Sequence, residues 1–521
     1  MNEVRLYDTT LRDGSQGEGI SYSVADKIAI ARELDSLGVH YIEGGWPGSN
    51  PKDMEFFLKM AKAPLKLSQL VAFGSTKRAG IAASEDNNVK GLLKSQAKVI
   101  TIFGKTWDLH VKDVLKISLE ENLELIRDTV SFLSAKGLTV FYDSEHFFDA
   151  YIANKEYALK CILSAQSAGA KAIVLCDTNG GTLTSEMIRI INDVRPQINV
   201  WLGIHCHNDS GVAVANSIAA VESGADMVQG TVNGYGERCG NADLVPIIAN
   251  LKVKMGSDCI KDAKLKELAH VSYFVSEISN MAHRNDQPYA GASAFAHKGG
   301  VHINAVMKNP RTYEHINPEL VGNKRRILVS ELAGKSGVLL RAKELELDLN
   351  KDDPNTKRIL KLVQDLEHKG YHFEAAEASF EILMKKALKK YKKFFELEGF
   401  RVVIEKRGSK MTSEAIIKLK VKGVKEHTAA EGDGPVNALD NALRKALKDF
   451  YPTLSKMHLS DFKVRVLDEK GGTASKVRVL IQSQDDKDSW NTIGVSENII
   501  EASWQALVDS VEYKLLKDGV K

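Results

Sequence analysis

One phrase form recurs along the first half of this 521-residue chain. LGVHYI at Leu37–Ile42, AGAKAIVL at Ala168–Leu175 and SGADMVQ at Ser223–Gln229 each read as a helix end closed by glycine and followed at once by a strand. Around these phrases, short apolar runs alternate with amphipathic stretches. The expected strands are Val4–Tyr7, Tyr41–Glu43, Leu67–Phe73, Val99–Phe103, Thr139–Asp143, Ala172–Cys176, Trp201–Cys206 and Met227–Gly230. Several are almost wholly apolar, as parallel strands buried on both faces require. Val24–Leu37, Leu119–Ser134 and Ser185–Val194 carry helical spacing between them. Eight strand–helix units in roughly 250 residues match an α/β fold of the (β/α)8, or TIM-barrel, kind. A doubly wound open sheet is the competing arrangement, but it normally stops at roughly five to seven strands.

In such a barrel, chemistry belongs at the C-terminal strand ends. Those ends carry Asp8, Thr9, Arg12 and Asp13 after the first strand, Glu43 after the second, Ser75 after the third and Lys105 after the fourth. Glu145 and His146 follow the fifth, Asp177 and Thr178 the sixth. His205, His207 and Asn208 end the seventh, and Thr231, Asn233 and the turn Gly234–Asn241 follow the eighth.

The rest of the chain divides by pattern. Residues 1–263 are expected to form the barrel, 264–395 a mostly helical accessory region, and 396–521 a C-terminal α+β module. The accessory region contains a glycine-rich insert that includes His302 and Tyr313. Helical patterns follow at Ser330–Glu344, Asn355–Lys369 and Phe373–Phe394. Its lysine-rich segment LMKKALKKYKKFF reads as a solvated helix face rather than a polyphosphate contact. The module contains a weak internal repeat. FRVVIEK and AIIKLKV lead into the helix Val436–Phe450; FKVRVL and KVRVLIQS lead through WNTIGVS into the helix Glu497–Leu516. No catalytic cluster sits there, so assembly or effector binding is expected.

A net charge of +3 gives no electrostatic case for nucleic acid or an anionic membrane. No signal peptide or membrane-length apolar run is visible. The five scattered cysteines form no C-x-x-C pair and fit a cytoplasmic protein with mostly buried, reduced thiols.

The sharpest local signal is IHCHND. Residues two apart on a strand share a face, so His205 and His207 point into the barrel mouth while Cys206 points outward. Two imidazoles there suit a divalent metal, with Asp13 as carboxylate ligand and Asn241 as amide ligand. Open coordination positions would make the site catalytic rather than structural. Mixed nitrogen and oxygen donors leave Mn²⁺, Zn²⁺, Co²⁺ and Mg²⁺ all open. Two hydrogen-bonded core histidines are the plainer reading. A metal beside Arg12 suits a 2-oxo acid, whose developing alkoxide the arginine would stabilise. Thr178 can meet the acid's carboxylate, and Glu145 can orient a base or a water. From position alone His302 reads as an ordinary loop histidine; the sharper reading makes it a general base with Tyr313 and Glu314 assisting.

DTTLRDG, IHCHND and NGYGERCGNADL, in this order, resemble the DRE-type metal-dependent TIM-barrel family of acyltransferases and lyases. AHKGGVHINAV and YEHINPELVGN resemble the accessory segment of its synthase branch. The C-terminal module resembles the dimeric leucine- or isoleucine-sensing domain of the 2-isopropylmalate and citramalate synthases, which the lyases lack. EGGWPGSNPKD is most similar to the long-form citramalate synthase family. The resemblance implies acetyl-CoA and pyruvate as substrates, (R)-citramalate as product, isoleucine biosynthesis as the route, isoleucine as effector and a homodimer. Asp13, His205, His207 and Asn241 are implied as metal ligands. Arg12 is implied at the keto oxygen, Thr178 at the carboxylate and Glu43 in the pocket wall. Glu145, His302 and Tyr313 are implied in acid–base work. Homocitrate and 2-isopropylmalate synthases are the nearest alternatives, an acyl-CoA lyase a further one. Trp46 near the mouth can fill space that a longer side chain would need, unless its glycine-flanked turn carries it elsewhere.

Overall fold

The computed structural model describes residues 3–328, 339, 342, 353–467 and 475–520. Its contacts divide the chain into two units: Met1–Phe295 with Ile316–Arg325, and Ala296–His315 with Arg326–Lys521.

The first unit holds a closed barrel of eight parallel strands in sequential order. They are β1 (Arg5–Asp8), β2 (Tyr41–Gly45), β3 (Gln69–Ser75), β4 (Val99–Lys105), β5 (Thr139–Glu145), β6 (Ala172–Asp177), β7 (Trp201–Cys206) and β8 (Met227–Gly230). Closure comes from β1 pairing with β8, Tyr7 opposite Gln229 and Asp8 opposite Gly230. The repeated phrases behave as their glycines require. Gly38, Gly169 and Gly224 take φ of +95°, +103° and +97°, the left-handed turn that ends a helix and admits the next strand. The helix Val24–Leu37 begins with a capping box between Ser23 and Asp26.

The barrel interior is filled rather than hollow. Tyr7, Tyr41, Val71, Val99, Phe141, Val174 and Met227 pack across it. A separate core, including Ile30, Leu34, Phe56, Ile126, Ile162 and Cys206, lies between the strands and the surrounding helices. With the barrel's middle packed, polar side chains gather at its C-terminal mouth.

The second unit holds a short parallel pair, β9 (Ala296–His297) with β10 (Arg326–Ile327), and two larger sheets of like design. β11 (Phe395–Arg407), β12 (Lys410–Val421) and β13 (Val424–Gly432) form one antiparallel sheet, followed by the helix Pro435–Leu447. β14 (His458–Val466), β15 (Val477–Gln484) and β16 (Ser489–Ser496) form the other, followed by the helix Ile499–Lys517. Each half therefore has a third strand where the sequence pattern shows two. Val424–Gly432 escapes notice because none of its residues is buried, and WNTIGVS because its buried face is partly polar. The helical pattern over Phe373–Phe394 also yields a shorter helix, Glu377–Ala387. Lys389 turns left-handed at φ +57°, and Phe394 and Phe395 enter the core of the two sheets instead. The predicted helix Ser330–Glu344 lies outside the described residues apart from positions 339 and 342. Among the described residues, no helix is long and apolar enough to cross a membrane.

Candidate metal centre and active site

The loop after β1 is folded by its own side chains. Asp8 is wholly buried and accepts from the Thr10 amide at 2.9 Å and the Thr10 hydroxyl at 2.7 Å. Burial pushes the Asp8 carboxyl up to about 7 despite these bonds. The Thr10 hydroxyl accepts from the Val232 amide at 2.9 Å, tying this loop to the one after β8. Asp8 is thus used to build the loop, as Asp177 is after β6, where Thr182 donates to it at 2.9 Å. Arg12 and Asp13, by contrast, line an open cavity.

Asp13 Oδ2 lies 3.4 Å from His205 Nε2 and 3.9 Å from His207 Nε2. All three residues are buried, and their ligating atoms fall within 4.8 Å of one another. Burial alone would raise the Asp13 carboxyl; the Arg12 charge leads the opposing groups and holds it below the usual range. Burial pushes His205 down to about 3 and also lowers His207, keeping both imidazoles neutral with lone pairs to offer. Behind His205, Nδ1 sits 3.0 Å from Gln229 Oε1, and Gln229 Nε2 donates to Asp143 Oδ1 at 3.1 Å. An acceptor at Nδ1 puts the proton there and leaves Nε2 facing Asp13.

Asn241 reaches the same place through the turn after β8. That turn runs through left-handed backbone at Asn233, Gly234, Gly236, Arg238 and Gly240. A side chain at Gly236 would strike the Asn241 amide, and one at Gly240 the Gly234 carbonyl. The motif's glycines therefore allow the tight return that bridges Asn241 to His207. Asn241 Nδ2 donates to the Tyr235 carbonyl at 3.1 Å, while Oδ1 is buried with no hydrogen-bond partner. An orphaned buried acceptor costs about 1–3 kcal/mol. Two imidazole nitrogens, a carboxylate and a free amide oxygen fit a divalent cation.

Arg12 is held from three sides. Its Nε donates to Glu43 at 2.5 Å, Nη1 lies 3.4 Å from Asp13, and the guanidinium carbon sits 3.8 Å over the Phe73 ring. Burial disfavours its charge, but Glu43 and Asp13 more than offset this. Glu43 is wholly buried and also accepts from the Tyr7 hydroxyl at 2.7 Å. It faces Arg12 and Tyr7 rather than the open cavity.

The cavity measures about 260 Å³. Gln16, Asp143, Glu145, Cys176, Thr178, Glu237 and Arg238 complete its polar wall. Lys105 Nζ lies 2.5 Å from Glu145 Oε2. The Thr178 hydroxyl accepts from the His146 amide at 2.9 Å. Arg238 joins three strand-end loops, donating to Asp209 at 2.8 and 2.9 Å and to the Thr178 carbonyl at 2.7 Å. Burial raises Asp143 to about 8, so near neutrality it is mostly an uncharged acid. The opposite wall is aromatic: Trp46, Phe73 and Phe103. His302 and Tyr313 belong to the second unit, where their rings stand 4.2 Å apart.

Sequence reasoning missed Asp143, Gln229, Arg238 and the two phenylalanines. Gln229 was findable, because it lies two residues before Thr231 and shares its face of the strand. Phe73 and Phe103 read as core, with no signal to separate a pocket wall from buried filling.

The HMGL-like family matches residues 3–275. The homocitrate synthase post-HMGL domain-like family matches residues 290–370, and the LeuA allosteric (dimerisation) domain matches residues 374–515. The (R)-citramalate synthase of Geobacter sulfurreducens is 57% identical over 99% of this chain and 98% of its own. That of Aquifex aeolicus is 54% identical over the same shares. A 2-isopropylmalate synthase of Methanocaldococcus jannaschii is more distant, at 32% over 99% of this chain and 95% of its own. The chain belongs to the HMGL-like family, on the branch of the (R)-citramalate synthases.

Proposed function

We propose that this chain is a metal-dependent acyltransferase that condenses acetyl-CoA with pyruvate and hydrolyses the thioester, giving (R)-citramalate and free CoA for isoleucine biosynthesis. The observation that carries the reading is one small cavity in which the Asp13–His205–His207 cluster and Arg12 converge opposite an aromatic wall, with Asn241 bridged to His207 beside them. About 260 Å³ is below the usual range for drug-sized ligands and suits a short acid.

Asp13, His205, His207 and Asn241 would hold a divalent cation, which when bound polarises the keto group of the acid. Which cation it is, Mn²⁺, Zn²⁺, Co²⁺ or Mg²⁺, is a matter for metal analysis. Glu43 engages Arg12 through Nε, so the terminal guanidinium nitrogens are the ones available to the keto oxygen as it gains charge. Glu43 then acts through Arg12 rather than on substrate. The Thr178 hydroxyl is proposed to meet the carboxylate. Glu145, with Lys105 beside it, is proposed in acid–base work on the acetyl methyl group. His302 and Tyr313 are carried into the same role on family resemblance.

The LeuA-type match supports a dimer under allosteric control, and isoleucine is the proposed effector. The division into barrel 1–263, accessory region 264–395 and regulatory module 396–521 belongs to the same proposal, as does a place in the cytoplasm. The test is release of CoA thiol from acetyl-CoA with metal supplied and a panel of 2-oxo acids, repeated with isoleucine, leucine and valine. Pyruvate should stimulate release most, and isoleucine should suppress it. Preference for 2-oxoisovalerate or 2-oxoglutarate would move the chain to a neighbouring synthase. Release from no 2-oxo acid would defeat the reading.

A further inference from the structure

Trp46 is held in the aromatic wall by groups that never touch the cavity. β2 ends in Gly44 and Gly45, and the chain turns at once into Trp46. Behind this turn lies a buried ion pair, Lys27 with Asp53, whose members are 2% and 6% exposed. Lys27 Nζ also donates to the Gly44 carbonyl at 3.0 Å, and the second Asp53 oxygen accepts from the Trp46 amide at 2.9 Å. Gly45 takes φ +140°, and any side chain there would strike the Asp53 carboxylate. The pair thus fixes the backbone on both sides of Gly45. Such a pair costs desolvation and is weak evidence for stability alone.

The indole is held separately. Trp46 Nε1 donates to Asn88 Oδ1 at 2.6 Å, and Asn88 Nδ2 donates to the Ser75 carbonyl at 2.7 Å. Asn88 stands at the start of the helix Asn87–Lys94, capped by Asp86. Gly48, Gly74 and Gly91 allow this close approach, since a side chain at any of them would crowd Asn88 or the turn. So placed, the indole meets Phe73 and Phe103 edge-on at 5.8 and 5.5 Å. The polar atoms of Trp46 point to its supports and its ring forms the wall.

We propose that Asn88 and the Lys27–Asp53 pair are positioning residues which, by fixing Trp46, set the length of 2-oxo-acid side chain the cavity accepts. This rests on the synthase reading above. The test compares kcat/KM for pyruvate and 2-oxobutanoate in the full-length wild type, Asn88→Ala and Asn88→Asp, with Asp53→Asn as a second route should Asn88→Ala not fold. Pockets separate one methylene by about 10–200-fold. Freeing the indole should therefore raise the 2-oxobutanoate:pyruvate ratio by about tenfold in Asn88→Ala, mainly through KM, with kcat for pyruvate little changed. Asn88→Asp keeps the acceptor for the indole but loses the donation to the Ser75 carbonyl, so it should shift the ratio less than Asn88→Ala. Asp53→Asn should shift the ratio the same way as Asn88→Ala. An unchanged ratio in the folded variants, with wild type active on pyruvate, overturns the positioning role alone. A wild type inactive on every 2-oxo acid overturns the synthase reading, and this inference with it.

Discussion

The two walls of the barrel cavity are built on opposite terms. On the wall proposed to face a metal, donor atoms of Asp13, His205 and His207 crowd within 4.8 Å, and among them and behind them His207 Nδ1 and Asn241 Oδ1 lack hydrogen-bond partners. On the aromatic wall, Phe73 and Phe103 stack at 5.3 Å and the Trp46 N–H is spent on Asn88. Unsatisfied atoms are costly in a folded protein, so they mark where a bound group completes the structure. Satisfied, packed atoms define shape. One wall is therefore read as chemistry and the other as selection.

The largest effect should come from breaking the metal-facing wall. His205→Ala is expected to lose bound metal and turnover together, by more than the about 10–100-fold typical of losing a partner behind a ligand. Metal analysis alongside CoA release checks this, and a normal metal content would remove His205 as a ligand. Arg12→Ala should keep its metal yet lose about 100–1,000-fold in kcat, the usual cost of removing an oxyanion donor. Gln229→Leu removes the acceptor behind His205 and should weaken metal affinity by about 10–100-fold, read by metal titration. Smallest is the aromatic wall. Phe103→Ala should leave metal content unchanged and move the 2-oxobutanoate:pyruvate preference by about tenfold. A change in metal content there would erase the distinction between the walls.

The sequence made the two walls unequally legible. Asp13, His205, His207 and Asn241 stand in motifs of polar residues that end or follow apolar strands, and the period of two put both imidazoles on one face. The eight strands were readable for a similar reason, because burial on both faces leaves unbroken apolar runs. Phe73 and Phe103 carry no such mark, since a phenylalanine at a strand end looks the same in a core or a pocket. The Arg12–Glu43 contact was also hidden. Adjacent Arg12 and Asp13 suggest a pair, yet the shorter contact, 2.5 Å against 3.4 Å, goes to Glu43. The pairing of β1 with β2 brings their ends together to allow it. In the second unit, β13 turns Glu426, Thr428, Ala430 and Gly432 to its half-buried face, and these polar or small residues left no apolar period.

The most direct test is CoA-thiol release from acetyl-CoA plus pyruvate by the full chain, measured after chelator treatment and again after returning Mn²⁺, Zn²⁺, Co²⁺ or Mg²⁺. Release should fall to background on metal removal and recover with at least one cation, and only when pyruvate is present. Undiminished release from the metal-free chain, or metal-restored release that ignores pyruvate, would contradict the assignment of the polar wall to a metal-bound 2-oxo acid.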